Sequence, residues 1–310
     1  MRQKRLATSL DLEESKSHRT QPVKYAILTA GVHFHSESPF LVLKTLLSMA
    51  FAFDNIDTLA KRMLLAMQEY TLFCWEAVAN VLRAPHYWSD VMTQCDLIGV
   101  GSLPIVVLTG FFTGGVLALQ SAASLAQFGA QAYTGRFVSL SMIRELAPVL
   151  TGLMVSGRNA SGMASELGSM VVTEQIDAMR ALGTDPMKKL VTPRILATVV
   201  MLFLLTIVSD TVGTAGGAVV AVFISHQNGT QYFTSAYQAL GYDDIAQGLT
   251  KPLFFGFIIA TVGCFFGMKT TGGTQGVGRS TTQAVVVSSV LIIFGDFILS
   301  RALLWLYSGI

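Results

Sequence analysis

Apolar residues run along this chain in long blocks. Five stretches, 97–120, 137–156, 195–224, 253–268 and 284–306, are long enough to reach into or across a hydrocarbon layer of ~30 Å. Between the first two and after the third lie polar segments rich in Gln, Ser, Thr and Gly. The period-2 alternation of barrel strands does not appear, and an open sheet would leave backbone groups unsatisfied in lipid. The pattern therefore predicts an all-α integral membrane protein with about five transmembrane helices. Small residues recur four apart at Gly110 and Gly114, Gly213 and Gly217, and Gly263 and Gly267, which allows helix backbones to approach closely in lipid.

Two N-terminal regions differ from these blocks. Residues 59–83 place Met63, Leu64, Met67, Leu72, Phe73, Trp75, Val78 and Leu82 at helical spacing, with Lys61, Arg62 and Arg83 at the ends. That is the pattern of a helix lying in the membrane interface. Residues 1–58 form a polar extension in which an apolar patch, 40–53, is interrupted by Lys44 and too short to span. No apolar run follows Met1, so a cleaved secretory signal is not expected.

Composition sharpens the picture. The chain is 52% hydrophobic and 13% charged, with a mean hydropathy of +0.55, whereas soluble domains run nearer a quarter charged. A net charge of +2 excludes nucleic-acid binding through bulk charge. Cys74, Cys95 and Cys264 form no CxxC pair, and the scattered histidines support no metal site. Lys and Arg set the orientation. Residues 1–95 hold ten, 157–194 hold five and 269–283 hold two, while 121–135 and 225–250 hold none. A cytoplasmic N-terminus satisfies the positive-inside rule throughout.

The segment between the second and third blocks is too polar to cross and too patterned to be a linker. Thr173 can cap a helix whose first turn carries Glu174 and Asp177. Ile176, Met179 and Leu182 share one side, Arg180 lies in the last turn, Gly183 suits the left-handed position beyond the end, and Pro186 follows. Periodicity alone favours a helix resting on its own bundle.

The run Thr173-Glu174-Gln175-Ile176-Asp177-Ala178-Met179-Arg180-Ala181-Leu182-Gly183-Thr184-Asp185-Pro186 resembles the signature cytoplasmic segment of the MlaE/YrbE family. Arg144-Glu145-Leu146-Ala147-Pro148 resembles the family's RELxP motif, followed by Gly157-Arg158 and the ASELG run at 164–168. Residues 110–120 resemble its first span, and 271–278, 280–284 and 288–297 its last loop and span. The resemblance covers roughly residues 59–310 and leaves the N-terminal extension without a counterpart. It implies the permease subunit of an ABC transporter that moves phospholipid or a related lipid between the bacterial inner membrane and a periplasmic MCE-domain hexamer. It further implies a homodimer and two ATPase subunits, and leaves room for a STAS-domain subunit. Glu174, Gln175, Ile176, Asp177, Met179, Arg180, Gly183 and Pro186 would couple to the ATPase, and ATP would bind there, with no cofactor on this chain. Three acidic residues among the first fourteen are unlike a plastid transit peptide.

Charges at membrane depth are costly and mark function by default. Arg144 and Glu145 lie in the second block with Pro148 one turn on, and adjacent helical positions point ~100° apart, so they are not expected to pair with each other. Glu145 is expected to face another helix or a dimer interior that handles lipid. Lys251 and Asp296, both charged in the family's pattern, are expected to meet across the bundle. Asp210 lies where the family pattern carries an apolar residue, so no role transfers to it; either its carboxyl is protonated or Ser209, Thr211 and Thr214 help to satisfy it. A rival reading makes Glu145, Asp210 and Asp296 relay carboxylates of an ion-coupled transporter or channel; the lack of an internal inverted repeat opposes it. Residues 273–280 read G-x-x-x-x-G-R-S, near a P-loop but with Arg279 for its Lys and no strand before it, so a cytoplasmic turn is expected. No catalytic constellation assembles, and the chain is read as a non-enzymatic subunit.

Overall fold

The computed structural model describes residues 61, 64–81 and 87–308. The polar extension 1–58, with the patch at 40–53, lies outside them. The chain divides into two compact units, Met1–Ala66 and Met67–Ile310, and the second holds the helical bundle. Among the described residues there are helices and no strands. In chain order they are α1 (64–81), α2 (Trp88–Ala126), α3 (Gln131–Val172), α4 (Gln175–Ala181), α5 (Met187–Phe223), α6 (Gly229–Ala239), α7 (Tyr242–Met268) and α8 (Gly273–Ser308). Helices α2, α3, α5, α7 and α8 are long and apolar enough to cross a membrane. This is an all-α membrane protein.

The five blocks match these five helices to within one residue, 195–224 overrunning α5 at Ile224, and most helix ends run further into polar sequence. Residues 225–250, expected as a loop, contain α6 and the start of α7. Asn228 caps α6 by accepting from the Thr230 amide at 2.9 Å. Tyr232 of α6 is buried and its hydroxyl donates to the Thr214 carbonyl at 3.3 Å, tying α6 to α5. Burial pushes that phenol's pKa up.

The expected turn at 273–280 is also helical. Gly272 and Gly273 adopt φ of 89° and 68°, values open to glycine, and compress the reversal so that α8 begins at once. Thr270 and Ser280 then meet at 3.0 Å.

Three apolar clusters stack along the bundle. One, near the α4 connector, joins Ile98, Leu167, Val191, Ile195 and Cys264, with Ala77 of α1 against it. A middle one gathers Val106, Val155, Leu202, Phe255 and Ile292. At the opposite end, Ala118, Val138, Met142, Ala218 and Tyr232 pack together. Between α2 and α5 the contact is backbone to backbone. A Cβ on Gly114 would lie upon the Gly213 carbonyl, and one on Gly216 upon the Phe111 carbonyl. Gly267 of the third glycine pair packs α7 against Leu167 and Ala164 of α3. Helix α1 is fixed to α7 by Tyr70 Oη, 2.8 Å from Thr261 Oγ1.

Candidate functional site

Pro148 determines the local chemistry of α3. It has no N–H to give the carbonyl four residues back, that of Arg144. The helix widens into a π-helical turn at Met142–Leu146, and the freed Arg144 carbonyl accepts from Lys251 Nζ of α7 at 2.9 Å. Lys251 is 1% exposed, so its charge must be met within the protein. Glu145 contacts Nζ directly, and Asp296 Oδ1 of α8 lies 3.0 Å away as an ion pair without hydrogen-bond geometry. Ser300, one turn after Asp296, donates to both Glu145 carboxylate oxygens at 3.2 Å.

Arg144 turns to another partner. Its Nε donates to Asp244 Oδ1 at 2.6 Å, and its Nη2 also contacts that oxygen. The second Asp244 oxygen accepts from the Gly241 amide at 2.9 Å at the start of α7. Three helices thus meet on one network: two cations, three carboxylates, a hydroxyl and one orphaned carbonyl. Arg144, Glu145, Lys251 and Asp296 all fall in it, and Lys251 does meet Asp296. Arg144 and Glu145 diverge as expected. Glu145, expected to face another helix or a dimer interior that handles lipid, meets Lys251 of α7, and its side chain remains 47% exposed. Asp244 and Ser300 went unrecognised. The signal for Asp244 was its position seven residues before Lys251, two turns along the same face of α7.

Asp210 behaves differently. It is buried on α5 and its Oδ1 has no hydrogen-bond partner. Two of the three neighbours that could help satisfy it spend their hydroxyls on helix carbonyls: Thr214 donates to the Asp210 backbone oxygen at 2.8 Å, and Thr211 to Val208 at 2.9 Å.

Beside the network lies a groove of about 380 Å³ lined by Phe112, Thr113, Val116, Leu117 and Gln120 of α2 and Leu146 of α3. Leu146 directly follows Glu145, so the groove borders the charged junction.

The connector carries the second candidate site. Gln175–Ala181 is helical as expected, and its end follows the expected chemistry. Gly183 has φ 77°, its amide donates to Arg180 O at 3.0 Å, and Thr184 N donates to Met179 O at 3.0 Å, a Schellman ending. The beginning differs. Thr173 does not cap, because its hydroxyl bonds Ser169 O at 2.9 Å at the end of α3. Glu174 makes the sharp turn between the two helices in a left-handed conformation, φ 58°. Of the expected apolar side, Ile176 is buried, Met179 half-buried, and Leu182 is 83% exposed. Gln175, Asp177 and Arg180 face outward, the last two paired at 3.0 Å. Pro186 is buried where α5 begins, and Asp185 caps that start by accepting from Met187 N at 2.9 Å.

The family profile described as Permease MlaE matches residues 91–302, which contain both the charged junction and the connector. The chain belongs to the MlaE permease family. A probable ABC transporter permease protein of Rickettsia typhi is 42% identical over 234 residues, covering 76% of this chain and 90% of its own. A probable ABC transporter permease protein of Synechocystis is 43% identical over 211 residues, 68% of this chain and 80% of its own. The chloroplastic protein TRIGALACTOSYLDIACYLGLYCEROL 1 of Arabidopsis thaliana is 38% identical over 225 residues, 73% of this chain and 64% of its own. This MlaE-family chain is a multi-pass ABC transporter permease.

Proposed function

We propose that this permease moves a membrane lipid, phospholipid or a related glycerolipid, and that ATP hydrolysis on a separate chain drives it. The observation that carries the reading is the groove at Phe112, Val116 and Leu117 beside charges that are all matched among themselves. An acyl chain suits apolar walls, and Gln120 with the exposed side of Glu145 suits a polar headgroup. A free ion would need unmatched ligands there. One relative bears the name of a galactolipid, which favours the same class of cargo.

On this reading the chain forms a homodimer in the bacterial inner membrane, its N-terminus cytoplasmic and α1 in the interface. Its lipid passes to or from a periplasmic MCE-domain hexamer, and a STAS-domain subunit is compatible with the arrangement. The coupling surface is Glu174, Gln175, Ile176, Asp177, Met179, Arg180, Gly183 and Pro186, joined by Leu182. An 83% exposed leucine beside charged neighbours is an anchor for a partner's pocket. Arg144, Glu145, Lys251 and Asp296 hold the wall of the lipid path in place.

The test is transfer of a labelled phospholipid in vesicles holding the permease with its co-purifying ATPase. ATP-dependent transfer is expected, lost with Thr113→Arg in the groove. Leu182→Asp should release the ATPase while the permease still inserts. Transfer driven by an ion gradient without ATP would favour the ion-coupled reading instead.

A further inference from the structure

Arg144, Arg194 and Lys251 each meet a carboxylate, whereas Arg158 meets two neutral acceptors. Arg158 lies in the second π-helical turn of α3, Ser156–Ala160, and is exposed. Its Nη1 donates to Leu97 O and to Ser102 Oγ, each at 3.1 Å, on α2. The guanidinium rests over Gly101, where a Cβ would collide with its nitrogens. The Ser102 hydroxyl is shared with Asn159 Nδ2 at 3.5 Å. The group is therefore held in one place by α2, and glycine is what admits it.

A guanidinium carries five N–H donors, and among the hydrogen bonds of the described residues only those on Nη1 are engaged. No carboxylate among the described residues pairs with it. Asp96 is the nearest in sequence to its acceptors, but it stands five residues before Gly101 and so ~140° round the helix. Asp96 is also the last charge before the apolar run of α2 begins at Leu97. Arg158 is thus anchored at the level where polar sequence gives way to hydrocarbon, the level of lipid headgroups. Leading away from it on the Gly101 face of α2 are Ile105, Leu108, Phe112 and Val116, each 40–60% exposed. An unmatched, fixed cation at the head of an apolar stripe is complementary to a phosphate joined to an acyl chain.

We propose that Arg158 binds the phosphate of a membrane phospholipid whose acyl chain lies along Ile105, Leu108 and Phe112. The stripe reaches the groove of the proposed lipid path at Phe112, but lipid retention at Arg158 is measured without transport, so the two readings fail separately.

The experiment is native mass spectrometry of the full-length chain in mild detergent, titrated with phosphatidylglycerol, with diacylglycerol, and with inorganic phosphate as competitor. The intact chain is expected to retain phosphatidylglycerol and not diacylglycerol. Arg158→Ala should weaken retention by at least ~10-fold with the assembly of copies unchanged. Arg158→Lys, which keeps charge but loses the fork, should fall between. Gly101→Leu, which pushes the guanidinium away without removing it, should reproduce Arg158→Ala and serves if that variant fails to accumulate. Equal retention by all variants overturns the proposal. So does displacement by millimolar inorganic phosphate, which would make this a site for the free ion. Dissociation of copies on Arg158→Ala, reversed by Arg158→Lys, would make the residue a contact between protomers and overturn it as well.

Discussion

Two seams hold this bundle, and they are built on opposite principles. Between α2 and α5 the helices touch through Gly110, Gly114, Gly213 and Gly216, backbone against backbone. Where α3, α7 and α8 converge, the contact is electrostatic: Lys251 with Glu145 and Asp296, and Arg144 with Asp244. In water both seams could lean on the hydrophobic effect. In lipid the tails are as apolar as any leucine, so association must come from close packing or from polar groups with nowhere else to go. The glycine seam uses the first and is intolerant of added volume. The charged seam uses the second and is intolerant of an unbalanced charge. The charged seam also sits where Pro148 has already broken the α3 hydrogen-bond ladder, so one lysine satisfies both a carbonyl and two carboxylates.

The largest effect is expected from unbalancing the charged seam. Lys251→Met leaves Glu145 and the Arg144 carbonyl without their common donor and Asp296 without its counter-charge. Removing one partner of a buried ion pair costs ~3–5 kcal/mol, enough to abolish accumulation of most membrane proteins of this size. The triple change Lys251→Met, Glu145→Gln and Asp296→Asn removes the charges together and should restore much of the folded yield. Thermal unfolding monitored by size-exclusion reads both. A triple variant no better than the single one would mean that the lysine acts mainly through the carbonyl.

The next effect belongs to the glycine seam. Gly114→Val places a side chain where the Gly213 carbonyl now lies, and α2 must move off α5. Overpacking of this kind costs ~1–3 kcal/mol. Gly157→Val is the control, since a Cβ there meets nothing within 4 Å. The melting point should fall for the first and hold for the second. Equal melting points would show that the seam is looser than its geometry.

What could be read from sequence divides along the same lines. Five spans were legible because ~20 apolar residues in a row have no other use. The glycine seam was legible as spacing, since small residues four apart on a helix imply close approach to something. Which helix faces which is a property of tertiary packing, and no local pattern carries it. The pairing of Lys251 with Asp296 was legible only as two charges needing partners. Asp244 escaped because it lies close to the polar start of α7, where an acidic residue looks like ordinary helix-end chemistry. Thr173 misled for a related reason: a threonine before acidic residues is a capping signal, but here α3 had not ended and claimed the hydroxyl. Leu182 was grouped with Ile176 and Met179 by spacing, yet the helix stops at Ala181 and leaves it outside.

The smallest effect tests whether the division between the seams is complete. Asp210 stands next to Ser209, which faces Gly110, and is thus a carboxyl beside the glycine seam. It breaks the rule that buried polar groups in lipid find partners, because its Oδ1 has none and the hydroxyls of Thr211 and Thr214 are occupied by backbone carbonyls. If the α2–α5 seam holds by packing alone, the carboxyl contributes nothing to it and burdens it with desolvation. Asp210→Asn keeps the volume and one carbonyl-type acceptor, and should leave the melting point nearly unchanged. Asp210→Leu removes the unsatisfied group while keeping the count and branching of side-chain heavy atoms. It should raise stability by ~1 kcal/mol, the lower part of the range for an unpaired buried polar group because its methyls are larger than the oxygens they replace. The expected result is a rise of a few degrees in melting point for Leu alone. A fall for both variants would mean that the carboxyl is matched in the assembled transporter, and the α2–α5 region would then hold by charge as well as by packing.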